Sequence, residues 1–234
     1  MNSATVESEP LPALGRNLTF GVFDRLGRAI VAGHYDQAPF PTEMDLVRQY
    51  RVSHGVVREA VKMLAAKGLI NAQARRGTMA EPEQAWNLLD VDILRWLLER
   101  GVSRDLAVRF NDLRVAIEPE AAALAARAAS AEDHLRIETG LKRIAAARRG
   151  GENPAEADMG FHLAILRATR NPFYAQFQAL LTTALRASFR LPGRTRGVSD
   201  YASVFEAIRI RDPDRARDRM RDIINDAPTD SRPL

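Results

Sequence analysis

Cysteine is missing altogether from the chain. That removes a disulfide framework, a thiolate zinc site and a cysteine nucleophile, and a cytoplasmic location becomes the expectation. Long apolar runs are missing too, since nothing approaches the ~18 uninterrupted apolar residues of a membrane helix. The longest uncharged candidate, Asn171–Leu185, is broken by Asn171, Gln176, Gln178, Thr182 and Thr183. The N-terminal residues carry Glu7 and Glu9 and lack the basic-then-apolar order of a signal peptide, so residues 1–17 read as a loose tail. There is no internal repeat, low-complexity block, phosphate-binding loop or nucleophile motif. Charge of one sign is scarcely in excess: 34 basic against 30 acidic residues leave +4. A mild positive balance suits a polyanionic partner, but where the charges sit matters more than their sum.

What is present suits two modest domains. The 234 residues are 46% hydrophobic and 27% charged, an ordinary balance for burying cores of about 100–150 residues each. Strand-like sequence is confined to Leu69–Ala80, where Gly68 and Gly77 bracket a short hairpin. Around Gly77–Glu83 the pattern breaks at Pro82, and residues 81–85 read as a linker. Beyond it, apolar positions recur at helical spacing in Leu88–Leu98, Leu106–Ala129, Leu135–Ala147, Ala155–Ala168, Phe173–Phe189, Tyr201–Ile210 and Arg215–Ile224. Ser103, Ser130 and Asp212 stand where N-caps belong. The fold class is therefore mainly α: a winged helix-turn-helix over 18–80, then an antiparallel all-α bundle of about six or seven helices over 86–226. Residues 227–234 form a second tail.

The strongest functional signal lies in 18–80. Leu18, Val22, Leu26 and Ile30 make one amphipathic helix. Thr42 is placed to cap a short helix Glu43–Tyr50, with Glu43 and Asp45 at the positive end of its dipole. After the turn Arg51-Val52-Ser53, Ser53 caps a longer helix to about Lys67. Val57, Ala60, Val61 and Leu64 form its buried face, while His54, Arg58 and Lys62 lie four apart on the other. One apolar stripe to dock and one cationic stripe to present is what a major-groove recognition helix needs. Arginine there can pair guanine O6 and N7. The bland alternative is a solvated cationic face. Against it stands the wing that follows, whose tip Arg75-Arg76-Gly77 is suited to the minor groove.

The run FPTEMDLVRQYRVSHGVVREAVKMLAAKGLINAQARRGTMA resembles the N-terminal domain of GntR-family regulators. Pro41, Thr42, Glu43, Leu46, Tyr50, Val52, Ser53, Val57, Arg58, Glu59, Ala60, Val61, Leu64, Gly68, Leu69 and Ile70 fit its pattern, and Gly77 matches the wing glycine. The resemblance implies operator DNA as partner, read by a homodimer on a palindromic site. Relatives commonly carry arginine where this chain has Met44 and His54, so Arg58 is the helix arginine that carries over and the relatives' operator does not.

Trp86 through Asp226 is similar to the all-helical effector-binding (FCD) domain of the FadR-type branch. The carriers are DLRVAIEPEAAALAARAA, Asp158-Met159-Gly160-Phe161-His162, Asn171-Pro172 and EAIRIRDPDRARDRMRDII. Trp86 to Trp96 resembles the lead-in helix of galactonate-responsive members. The resemblance implies a divalent metal, zinc for instance, on Asp158 and His162, which share a helix face at i, i+4. The two further histidines of relatives correspond here to Tyr201 and Ile223, so the set is incomplete. Alternatively Asp158 and His162 hydrogen-bond each other or line a polar pocket. Arg114 matches an arginine that relatives aim at the ligand's acid group, and a guanidinium fits a carboxylate bidentately. Arg186 and Tyr201 are further effector contacts. The expected effector is a small hydroxylated carboxylate such as a sugar acid, and the expected role is regulation, repression in the usual sense, of carbohydrate or organic-acid catabolism genes. Two rivals remain: a ligand-independent architectural DNA-binding protein, and an enzyme using Asp158, His162 and Glu118 as acid/base or metal groups.

Overall fold

The computed structural model describes residues 18–73, 77–188 and 197–225. The chain divides into two compact units at Gly101/Val102.

In the first unit α1 (Leu18–Val31), α2 (Glu43–Tyr50) and α3 (His54–Ala66) precede a two-stranded antiparallel ribbon of β1 (Ile70–Gln73) and β2 (Gly77–Ala80). Ile70 pairs with Ala80 and Gln73 with Gly77, whose φ of 80° is left-handed. The core comprises Val22, Phe23, Leu26 and Ile30 of α1, Leu46 of α2, and Val57, Ala60, Val61 and Leu64 of α3. Thr42 caps α2 through a reciprocal box, its Oγ1 accepting from the Asp45 amide while Asp45 accepts from the Thr42 amide. Arg51, at φ 53°, makes the left-handed turn, and Ser53 caps α3 by accepting from the Val56 amide at 3.4 Å.

The sequence assigned Trp86 onward to the bundle. The structure instead packs α4 (Val91–Arg100) into the first unit. Trp96 explains this. Its buried ring packs tilted against Phe23 at 5.2 Å between centroids, and its Nε1 donates to Asp24. A Cβ on Gly27 would come within 2.2 Å of that ring, so only glycine lets the indole lie against α1. Arg100 donates to the Val31 carbonyl, and Lys67 pairs with Asp90 and Asp92. Trp86, also buried, donates its Nε1 to the Glu81 carbonyl across residues expected to be a bare linker, where Glu83–Ala85 form a short 3-10 turn.

The second unit is all helix among the described residues: α5 (Arg104–Ala128), α6 (Ala131–Arg148), α7 (Pro154–Ala168), α8 (Pro172–Gln176), α9 (Gln178–Ser188), α10 (Val198–Arg209) and α11 (Pro213–Asn225). α5 is central, packed on α7, α9, α10 and α11. Its buried Ala121, Ala122, Ala125 and Ala126 let neighbouring backbones approach closely. α6 meets α7 at Gly140, where a Cβ would lie 2.9 Å from the Phe161 Cα. That contact sets α7 against α6 at Phe161, next in sequence to His162. The single helix expected over Phe173–Phe189 is two, because the chain tightens at Phe177, whose amide bonds the Tyr174 carbonyl three residues back. Phe189 lies outside the described residues.

Candidate functional site

On α3, His54, Arg58 and Lys62 are all exposed, while the opposite stripe is buried. Lys62 makes a solvent-exposed pair with Glu59 at 3.5 Å, and no ion pair among the described residues engages Arg58 or His54. Thr42 and Glu43 are exposed at the N-terminus of α2, and Gly77 at the start of β2. Arg75 and Arg76 lie outside the described residues.

The second constellation is buried in the bundle. Arg114 and Glu118 face inward one turn apart on α5, Asp158 and His162 one turn apart on α7, and Tyr201 on α10. Arg114 Nε donates to Glu118 Oε1 at 2.5 Å. His162 Nδ1 is in close ionic contact with Glu118 Oε2, and its Nε2 lies 3.6 Å from Asp158 Oδ1. Neither imidazole contact is aligned as a hydrogen bond, so the ring is held by charge more than by directional bonding. Tyr201 donates its hydroxyl to Asp158 Oδ1 at 2.5 Å. Two cations therefore sit among two carboxylates.

The electrostatics follow from that composition. Burial would raise the Glu118 carboxyl, but Arg114 and His162 outweigh it and hold the group down at about 2. Burial acts likewise on Asp158, where His162, Arg114 and the Tyr201 hydroxyl bring it to about 2. Burial alone would discharge His162. Glu118 and Asp158 reverse that and push it up to about 9.

This donor set does not fit a zinc ion. Both His162 nitrogens face carboxylates, Tyr201 is spent on Asp158, and Ile223, which is buried, has no donor atom. Among the described residues no cluster of three or more metal-type side chains has the geometry to hold an ion.

Sequence reasoning placed Arg114, Asp158, His162 and Tyr201 together, and the structure joins all four. Arg186 does not join them. The buried stripe of α9 runs through Leu181, Ala184 and Leu185, which turns Arg186 to solvent, half exposed and 3.5 Å from Glu156. Glu118, read as a neighbour or an acid/base group, is the hub counter-ion. Asn111 was passed over. It is buried on the same α5 face, with Oδ1 unpartnered, and the i, i+3, i+7 spacing of Asn111, Arg114 and Glu118 was the available signal.

Arg114 also stands at a cleft between α5 and α9, where its Nη2, in a residue 3% exposed, has no hydrogen-bond partner. A buried guanidinium with one unmatched nitrogen, in a residue that lines a cleft, is a place for an acceptor.

The family model for the gntR family of bacterial regulatory proteins matches residues 18–79, and that for the FCD domain matches 110–226. The galactonate operon transcriptional repressor of Escherichia coli K12 is 31% identical over 207 residues, 86% of this chain and 90% of its own. The uncharacterized HTH-type regulator YieP of the same strain is 32% identical over 180 residues, 76% and 78%. The solved structure of Lar, which controls expression of the Listeria monocytogenes agr system, superposes with a TM-score of 0.57 over 91% of this chain and 95% of that one. At 16% identity it speaks for the fold alone.

Proposed function

Because the chain belongs to the GntR family of bacterial transcription regulators, with an FCD domain after its DNA-binding domain, we propose that it is an effector-controlled repressor acting as a homodimer on a palindromic operator. Regulation of transcription through DNA, rather than catalysis, is what the family and the relatives do. Two-fold protein symmetry calls for two recognition helices on two half-sites. The genes controlled serve carbohydrate or organic-acid catabolism, and the protein works in the cytoplasm.

The effector is a small carboxylate. The observation that carries this is Arg114: buried, charged, lining a cleft, and with one guanidinium nitrogen unmatched. A carboxylate would satisfy that nitrogen with a charge-assisted bond. A sugar acid draws its support from the likeness to the galactonate operon repressor. Effector binding changes operator affinity only insofar as the two conformations of the protein hold the acid differently.

The test begins with selection of bound sequences from random DNA, followed by anisotropy titration with candidate acids. A palindromic consensus, two chains per site and release by an acid support the reading. A stable monomer on DNA, or affinity unmoved by every acid tried, overturns it.

A further inference from the structure

The cleft beside Arg114 is built from two facing helical stripes. From α5 come Phe110, Leu113 and Ile117, flanking Arg114 at i, i+3, i+4, i+7 spacing. From the α8–α9 junction and α9 come Phe177, Leu180, Leu181 and Ala184 at the same spacing, and Leu166 of α7 closes the side. Arg114 and Glu118 are the polar lining residues, and Glu118 is already in contact with both Arg114 and His162. The other groups that could hold a sugar acid's hydroxyls, Asn111, Asp158, His162 and Tyr201, do not line this cleft. A polyhydroxylated body placed in this cleft would lose its water and meet a lining that is apolar apart from Arg114 and Glu118, which is unfavourable.

Resting on the reading of an acid effector at Arg114, we propose that the effector is a monocarboxylate with an apolar body, a short aliphatic or aryl acid, seated between α5 and α9. Its carboxylate meets Arg114 Nη2, and its hydrocarbon replaces contacts between Phe110, Leu113 and Ile117 on one wall and Phe177, Leu180 and Leu181 on the other. The space now open to a water's centre is about 10 Å³, room for about one molecule. The acid therefore enters by parting the two helices. Phe177 is the yielding wall: it is half-buried at the junction of two separate helices, whereas Phe110 is buried on a 25-residue one.

The experiment uses the full-length protein. Thermal shift and calorimetry are run with butanoate, pentanoate, hexanoate, octanoate and benzoate, with galactonate and gluconate, and with hexanol and benzyl alcohol. Expected is a raised melting temperature with hexanoate and benzoate, and none with sugar acids or neutral alcohols. Affinity should rise roughly three- to four-fold per added methylene until the cleft is filled. Phe177→Ala should move the best chain length upward, and Arg114→Lys should weaken every acid while leaving the neutral alcohols unchanged. Sugar acids that bind while apolar acids do not, or as well as they do, would overturn the apolar body and leave the acid effector standing. Neutral alcohols binding as well as the acids, or no acid of either class binding, would overturn the acid effector as well. An unchanged chain-length optimum in Phe177→Ala would move the ligand out of this cleft.

Discussion

Arg114 and His162 each neutralise buried carboxylates, so each is a stability residue as well as a site residue. Arg114→Ala leaves Glu118 buried with half its compensation and should destabilise the protein by on the order of 3 kcal/mol in urea titration. Arg114→Lys, which keeps the charge, should lose less. The same cluster sets a pH profile. His162 is raised in the folded state from its ordinary 6.5 to about 9, so its contribution is complete below 6.5 and drains away as pH climbs through 9. Glu118 and Asp158 are depressed to about 2 from 4.5 and 3.8, so theirs is present above those ordinary values and fades as pH falls towards 2. The urea midpoint should therefore be highest between about pH 5 and 6.5. His162→Gln should lower it and flatten the alkaline side relative to the parent. An alkaline limb as steep as the parent's in that variant would show that another group carries it. For metal, elemental analysis of untagged protein should find no stoichiometric ion, whereas Tyr201→His with Ile223→His should increase zinc uptake.

At the scale of elements, the sequence disclosed what local chemistry dictates. Thr42, Ser53, Ser103, Ser130 and Asp212 all cap the helices that follow them, because a side-chain oxygen over free amides is a short-range matter. The inward face of α5 could be read because Arg114 stands among apolar neighbours at helical spacing. What stayed hidden depends on partners distant in sequence. α4 has an apolar stripe that would suit either unit, and only the fit of Trp96 on Gly27 decides. The break at Phe177 lacks a proline or glycine signal. Arg186 was misplaced because standing next to the buried Leu185 in sequence does not put a side chain on the buried face of α9. Gly27→Val follows directly: the added side chain meets the Trp96 ring, and thermal unfolding should show a loss of about 1–3 kcal/mol. On α3, Arg58→Ala should cost ~1–3 kcal/mol of operator affinity and relax preference at one base, with the melting temperature unchanged. Arg75→Ala at the wing should instead weaken all sequences evenly and reduce the salt slope by about one. Unchanged operator affinity and base preference in Arg58→Ala would refute α3 as the reading helix.

For the whole molecule, the division between two units bears on how it can be observed. Trp86 and Trp96 are the chain's two tryptophans, and both are buried in the first unit; the bundle has none. Indole emission is thus a built-in reporter on the DNA-reading half alone, while the helical ultraviolet signal belongs mostly to the other. A denaturation followed at both wavelengths resolves the two halves without labels or truncation. An acid that stabilises the bundle should delay the helical transition. Whether the fluorescence transition moves with it measures, in one titration, how much of the effector's binding free energy crosses Gly101 to the half that touches DNA.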